Sequence, residues 1–334
     1  MTFKSYLDQN TGRMNKLVAD FFKKEPVSDI TRYLYEPLAE YSVNGGKRHR
    51  PLICELACQA VGGDPLLARS AGAAIEHFHT AALIHDDIAD DSTLRRGEPC
   101  MHLTQGEGIA INAGDLALSQ VTGLIVEDEN LDDHTKLRVL DELVKMTTRT
   151  IEGQALDIGW ARDGRFDISV DDYLLMATHK TAYYSGGTPL AVGAIVGGGS
   201  KADIEALRSF GLATGLAFQI QDDILNLIGK KEAVKKDFRS DIVEGKRTLI
   251  AVYALRHSKR DAELIAILGA HTEQPALLAD AVDIMREAGS FDFARDFAID
   301  LVGRAKTELL DLLPSSEARN LLLSMADFFI TRMN

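Results

Sequence analysis

The chain is poor in several residues whose scarcity decides something. Of its 334 residues, one is Trp, three are Cys and eight are Pro. Three cysteines (Cys54, Cys58, Cys100) cannot form a disulfide framework for a chain this long. No charged-then-apolar leader opens the sequence, and a reducing cytoplasm is the expected location. Basic residues are also short: 37 Lys plus Arg face 50 Asp plus Glu, a net charge of -13. Such a balance opposes generic nucleic-acid binding, which depends on neutralising phosphates, so any anionic ligand must meet a local basic pocket or a metal. Long apolar runs are lacking as well. The richest, Pro189 to Gly198, is half a membrane span and contains several glycines. The sequence therefore reads as a soluble protein without a transmembrane segment.

What is present is helical. Two long stretches, 100–188 and 190–274, contain one proline between them, at 189. Apolar residues recur three and four apart in Leu137, Leu140, Leu143 and Val144, and again from Leu249 to Leu255. Period-two strand patterns are absent, and turn signals such as Gly62-Gly63-Asp64-Pro65 and Leu313-Pro314-Ser315 separate the helical stretches. With 46% apolar and 26% charged residues, no linker and no fixed repeat, residues 1–334 are expected to form one all-α domain. Roughly ten or more helices would pack around a central cavity.

The chemistry is concentrated in two acidic segments. His85-Asp86-Asp87-Ile88-Ala89-Asp90-Asp91 continues the apolar stretch 71–84, placing Asp86 and Asp90 one turn apart on a helix face. Taken alone, this reads first as a solvated helix end, since charge runs are usually exposed faces. Gln219, Asp222, Asp223 and Asn226 then stand at i, i+3, i+4 and i+7 inside another apolar segment. Carboxylates set twice among Leu, Ile and Phe need a partner or a metal. Oxygen donors without Cys or His at ligand spacing suit Mg²⁺ shared with a diphosphate. Basic candidates lie at Lys47, Arg48, Arg95, Arg96, Lys180 with Thr181, Lys236 and Lys246, each a solvated surface group if read singly. His79 lies two turns before Asp86 and can face the same side. Cys54 and Cys58 read as core, as does Trp160; Gln154 and Asp157 face either the site or solvent.

In this order the motifs resemble those of the trans-isoprenyl diphosphate synthase (polyprenyl synthetase) family over nearly the whole chain. Gly46 to Pro51 matches its G-K-R-x-R-P turn; Asp86, Asp87 and Asp90 match its first D-D-x-x-D; Arg95 to Gly97 match its R-R-G. Gly153 to Asp157 match G-Q-x-x-D, Lys180-Thr181 the K-T pair, and Phe218 to Asp223 F-Q-x-x-D-D. Two departures stand out: Asn226 replaces an acidic residue, and Arg239 replaces a usual glycine.

The resemblance implies the isoprenoid synthase type I fold, a homodimer, and head-to-tail condensation of isopentenyl diphosphate with an allylic diphosphate, releasing pyrophosphate. It implies three Mg²⁺ ions held by Asp86, Asp87, Asp90, Asp222 and Asp223. Lys180, Thr181, Gln219, Lys236, Lys246 and Arg95 would serve the allylic diphosphate side, and Lys47, Arg48, His79 and Arg96 isopentenyl diphosphate. It also implies that chain length is set before the first acidic motif. Ala81 and Ala82 are small there, and Phe78 is the first bulky residue beyond them, so geranylgeranyl diphosphate is the expected product, ahead of longer chains and of farnesyl diphosphate. A class I terpene cyclase would have no use for the second set of cations, and an inert regulatory subunit would have decayed motifs, of which Asn226 is the only sign.

Overall fold

The computed structural model describes residues 1–21, 28–43, 46–229 and 238–331. It is all-α, as expected, with more than ten helices of eight residues or longer. Those that position the site are α1 (Phe3–Asp20), α2 (His49–Ala60), α3 (Arg69–Ala89), α4 (Glu107–Val126), α5 (Asp133–Arg162), α6 (Val170–Ala177), α7 (Thr188–Val196), α8 (Lys201–Ile228), α9 (Leu249–His257), α10 (Ser290–Leu312) and α11 (Glu317–Ile330).

Local chemistry fixes the boundaries. Asp132 caps α5 by accepting from the Thr135 amide at 2.9 Å. Ser200 and Asp203 form a reciprocal capping box at the start of α8. Between α6 and α7 the chain runs through ten π-helical residues, Thr178–Gly187, a wide turn of a kind that recurs at functional sites. Among the described residues the only strands are β1 (Leu94–Arg95) and β2 (Glu98–Pro99), a two-residue hairpin. Its turn residues Arg96 and Gly97 both have positive φ, 59° and 88°, as a tight hairpin of this twist demands.

The main core runs from Phe3 to Phe329 and includes the inward faces of α2, α3, α5, α7, α8 and α10. A second cluster joins Ala81 and Ile84 of α3 to Ala110, Ala113 and Ala117 of α4. Two glycine contacts bring backbones together where the site lies. A side chain at Gly153 of α5 would collide with the Lys180 backbone, and one at Gly186 with the Gly211 carbonyl of α8.

One helix stands apart by its composition. Over its 20 residues α4 is long and apolar enough to cross a membrane, although no run of contiguous apolar residues marks it. Only 39% of its most apolar window is buried. Beside it, α5 exposes Leu137, Val144, Ile151 and Ile158, spaced seven apart along one stripe.

Candidate functional site

A cavity of about 690 Å³ opens between α3 and α8, the two helices carrying the acidic segments. From α3 it is lined by Glu76, His79, Leu83 and Asp86, and from α8 by Phe218, Gln219, Asp222, Asp223 and Asn226. The cavity thus has Asp86 of the first acidic set on one wall and the second acidic set on another. Lys180 and Thr181 of the π-helical segment enter between them, and Phe328 and Phe329 of α11 close another side.

The three aspartates of the first motif have different surroundings. Asp86 accepts from Gln154 Nε2 at 2.8 Å, with Lys180 Nζ 3.8 Å away. Asp90 accepts from Lys246 Nζ at 2.9 Å. Asp87 turns away from the cavity, is 1% exposed, and is bound by the Tyr41 hydroxyl at 2.8 Å and by the Arg95 guanidinium, whose Nε lies at 2.6 Å. Arg95 is correspondingly committed to Asp87, with Asp86 at 3.9 Å. Its charge is held on more firmly than usual: burial opposes it, and Asp87 outweighs burial.

On the opposite wall, Tyr173 donates to Asp223 at 2.8 Å and Gln219 Nε2 donates to it at 2.6 Å, while Thr181 donates to Gln219 Oε1 at 2.8 Å. Burial raises the Asp223 carboxyl well above the ordinary range, and the nearby Asp241 raises it further. Asp241 lines the cavity too. The sequence reading passed over it because it stands alone, outside either motif. Asn226 donates to Ser240 Oγ at 3.1 Å and accepts from the Asp241 amide at 3.3 Å, so it fastens the segment that presents this extra carboxylate. Arg239, at the start of that segment, has φ +63°, the left-handed geometry that a glycine adopts freely. The departure is therefore accommodated with strain at Arg239.

The lysines belong with the acids. Lys180 pairs with Asp157, and Lys246 with Asp90 and Glu244. Burial would lower both, but Asp157 holds the Lys180 charge, and Asp90 that of Lys246, above the ordinary value. Lys236 lies outside the described residues.

A separate end of the cavity is cationic. Arg48, with φ +49°, begins α2 and is buried there; it donates to Glu76 Oε1 at 2.8 Å, to Asn15 at 2.9 Å and to the Ser42 carbonyl. Arg50, which the sequence reading did not select, lines the cavity as well as Arg48. It bonds Ser185 Oγ at 2.9 Å, lies 4.0 Å from Glu76, and stacks its guanidinium 4.8 Å over the Tyr184 ring. Arg96 packs against Gly46, and the exposed Lys47 sits over Phe328 at 5.4 Å. Burial, then Arg50 and Arg96, push His79 well below its ordinary pKa, so it is a neutral imidazole stacked on Tyr184. Burial favours a neutral Glu76, yet Arg48 and Arg50 outweigh it and keep the carboxylate charged.

The chain-length candidates lie off this lining. Ala81 faces α4, Ala82 packs on the main core, and the Phe78 ring lies behind Tyr184, their centroids 5.8 Å apart. Tyr184, six residues beyond the start of the π-helical segment, lines the cavity itself.

Oxygen-only donors on two walls, with a carboxyl forced upward by burial and a neighbouring acid, fit a hard divalent cation. Among the described residues no three of the acids already converge as a metal cage.

Comparison with known proteins agrees with this chemistry. The family model described as polyprenyl synthetase matches residues 31–285. A short chain isoprenyl diphosphate synthase from Methanothermobacter thermautotrophicus is 42% identical, covering 94% of this chain and 95% of its own. A geranylfarnesyl diphosphate synthase from Natronomonas pharaonis is 37% identical over 93% of this chain and 91% of its own. The crystal structure of a geranylgeranyl pyrophosphate synthase from Corynebacterium glutamicum, complexed with isoprenyl diphosphate and magnesium, superposes with a TM-score of 0.88 at 29% identity, covering 98% of this chain and 99% of that one.

Proposed function

Because this chain belongs to the polyprenyl synthetase family, and so is a prenyltransferase condensing isopentenyl diphosphate with an allylic diphosphate, we propose that its product is geranylgeranyl diphosphate. The observation that carries the division of labour is the polarity of the cavity, acidic with two lysines at one end and cationic at the other. We assign the allylic diphosphate to the acidic end, with Asp86, Asp90, Asp222, Asp223 and Asp241 holding Mg²⁺, three ions by family expectation. Asp87 acts there through Arg95.

Bound magnesium supplies charge stabilisation to the departing diphosphate. Lys180 and Lys246, kept charged by their carboxylate partners, stand where that negative charge grows and add to the same effect. At the other end Lys47, Arg50 and Arg96 hold isopentenyl diphosphate, with neutral His79 offering a ring nitrogen and Arg48 keeping Glu76 in place. Phe218, Tyr184 and Phe329 present apolar surface that keeps water from the cationic carbon. The final proton leaves on the released pyrophosphate.

The chain is read as one domain, since a single core cluster extends from Phe3 to Phe329. We place it in the cytoplasm as a homodimer; the heptad stripe of α5 and the half-covered α4 give a second copy an apolar face to cover. The geranylfarnesyl relative makes a C25 product the second reading. Incubating the enzyme with isopentenyl diphosphate and dimethylallyl, geranyl or farnesyl diphosphate, then chromatographing the dephosphorylated products, decides between them. A C20 alcohol from all three is expected. A dominant C25 product replaces the assignment, and a cyclised product or none overturns it.

A further inference from the structure

Lys246 is a long, flexible side chain on a turn, yet its ammonium must meet Asp90 across the cavity mouth. The turn around it is built by its neighbour. Arg247 is 3% exposed and directs its three groups of nitrogen donors to three backbone carbonyls: Nε to Arg165 at 2.5 Å, Nη1 to Gly245, and Nη2 to Trp160 at 3.3 Å. Its guanidinium lies 4.0 Å over the Phe166 ring. Trp160 belongs to the last turn of α5, and Arg165 and Phe166 to the loop that follows it. The same turn is closed by the Lys246 amide donating to the Asp241 carbonyl at 2.8 Å, with Gly245 at φ +64°.

We propose that Arg247 is a positioning residue that clamps the 241–247 turn to the end of α5, and that it acts on the reaction through Lys246. The inference rests on the assignment of Lys246 to the allylic diphosphate. Only a planar fork reaches three divergent carbonyls while lying flat on an aromatic ring; a lysine offers one point charge and no plane. Asp157, the partner of Lys180, also lies on α5, one turn before Trp160. The clamp therefore ties both lysines of the acidic end to one rigid helix. The isopentenyl diphosphate end is built on α2, the earlier turns of α3 and the β1–β2 hairpin, none of which carries a carbonyl that Arg247 bonds.

The test compares Arg247→Lys, Lys246→Ala and the double variant. Arg247→Lys is expected to raise KM for the allylic diphosphate about ten- to hundredfold through misplacement of Lys246, with KM for isopentenyl diphosphate unchanged. In the Lys246→Ala background it should add nothing further, because the group it positions is gone. Equal increases in both constants, or a full second loss in the double variant, overturn the proposal. If Lys246→Ala leaves the allylic KM unaltered, the assignment of Lys246 fails, and the clamp is then judged on its own by amide hydrogen exchange at Lys246. Loss of protection in Arg247→Lys supports it, and wild-type protection refutes it.

Discussion

Replacing Asp87 by Ala separates two roles that the repeated aspartates of the first motif conceal. Asp87 is fully buried and neutralises a buried guanidinium, whereas Asp86 is partly open to the cavity with a side-chain exposure of 20%. Removing the Asp87 carboxylate leaves Arg95 buried with Asp86 as its nearest anion, 3.9 Å away. Breaking one side of such a pair costs about 3 to 5 kcal/mol, and the stranded Tyr41 hydroxyl adds about 1 kcal/mol. Removing Asp86 loses a hydrogen bond from Gln154, about 1 kcal/mol, and the longer contacts with Lys180 and Arg95, both of which keep a nearer carboxylate, Asp157 and Asp87. Asp87→Ala should therefore be less stable than Asp86→Ala by about 3 kcal/mol, a large share of a typical total of about 5 to 15 kcal/mol. Urea unfolding of the two metal-free variants, followed by circular dichroism, reads the difference directly. Tyr41→Phe should fall between wild type and Asp87→Ala. Both Ala variants should lose several orders of magnitude in turnover, so activity alone does not distinguish them. Equal unfolding midpoints would refute the placement of Asp87 as the buried counter-ion of Arg95.

The other expectations follow from single contacts. Arg50→Ala should raise KM for isopentenyl diphosphate well above that for the allylic substrate, whereas Arg48→Lys should act mainly on stability; steady-state kinetics beside thermal unfolding separates the two. Arg239→Gly should stabilise the protein by about 1 kcal/mol by relieving a left-handed non-glycine residue, checked by urea unfolding. Asn226→Asp exchanges a donor to Ser240 for a further negative charge beside Asp222, Asp223 and Asp241; it should weaken the metal-free fold and lower the Mg²⁺ concentration needed for half-maximal activity. Burial lowers the pKa of His77 to about 4. The unfolded chain then binds one more proton between about pH 6.5 and 4, so stability is full above pH 6.5 and falls on acidification by about 3 kcal/mol. In His77→Gln this part of the acid limb should flatten; an unchanged slope would show that His77 binds its proton equally in the folded and unfolded chain.

Helical spacing makes the facing acidic walls legible in the amino-acid sequence, because i, i+3, i+4 and i+7 lie on one face wherever the helix goes. The orientation of individual side chains is not legible there, since it depends on partners distant along the chain. Asp87 is drawn away from the cavity by Tyr41, 46 residues earlier. Arg48 and Arg50 both line the cavity, yet a left-handed residue at the start of α2 commits Arg48 to Glu76 while Arg50 bonds Ser185, a division that no spacing shows. No regular helical pattern would show Tyr184 shielding Phe78 from the cavity, as the π-helical turn shifts the faces of the residues it contains. Asp241 has no motif to announce it.

The glycine contacts at Gly153 and Gly186 bear on how such a molecule changes over evolutionary time. Where two backbones touch directly, the spacing between α5, the π-helical segment and α8 is set by main-chain atoms and cannot drift as neighbouring side chains are exchanged. The wall that carries Lys180 is therefore insulated from mutation in the apolar depths of the cavity. Side chains in those depths are free to grow or shrink while the backbones around Lys180 keep their separation. A scaffold with this construction explores new products without re-inventing its chemistry.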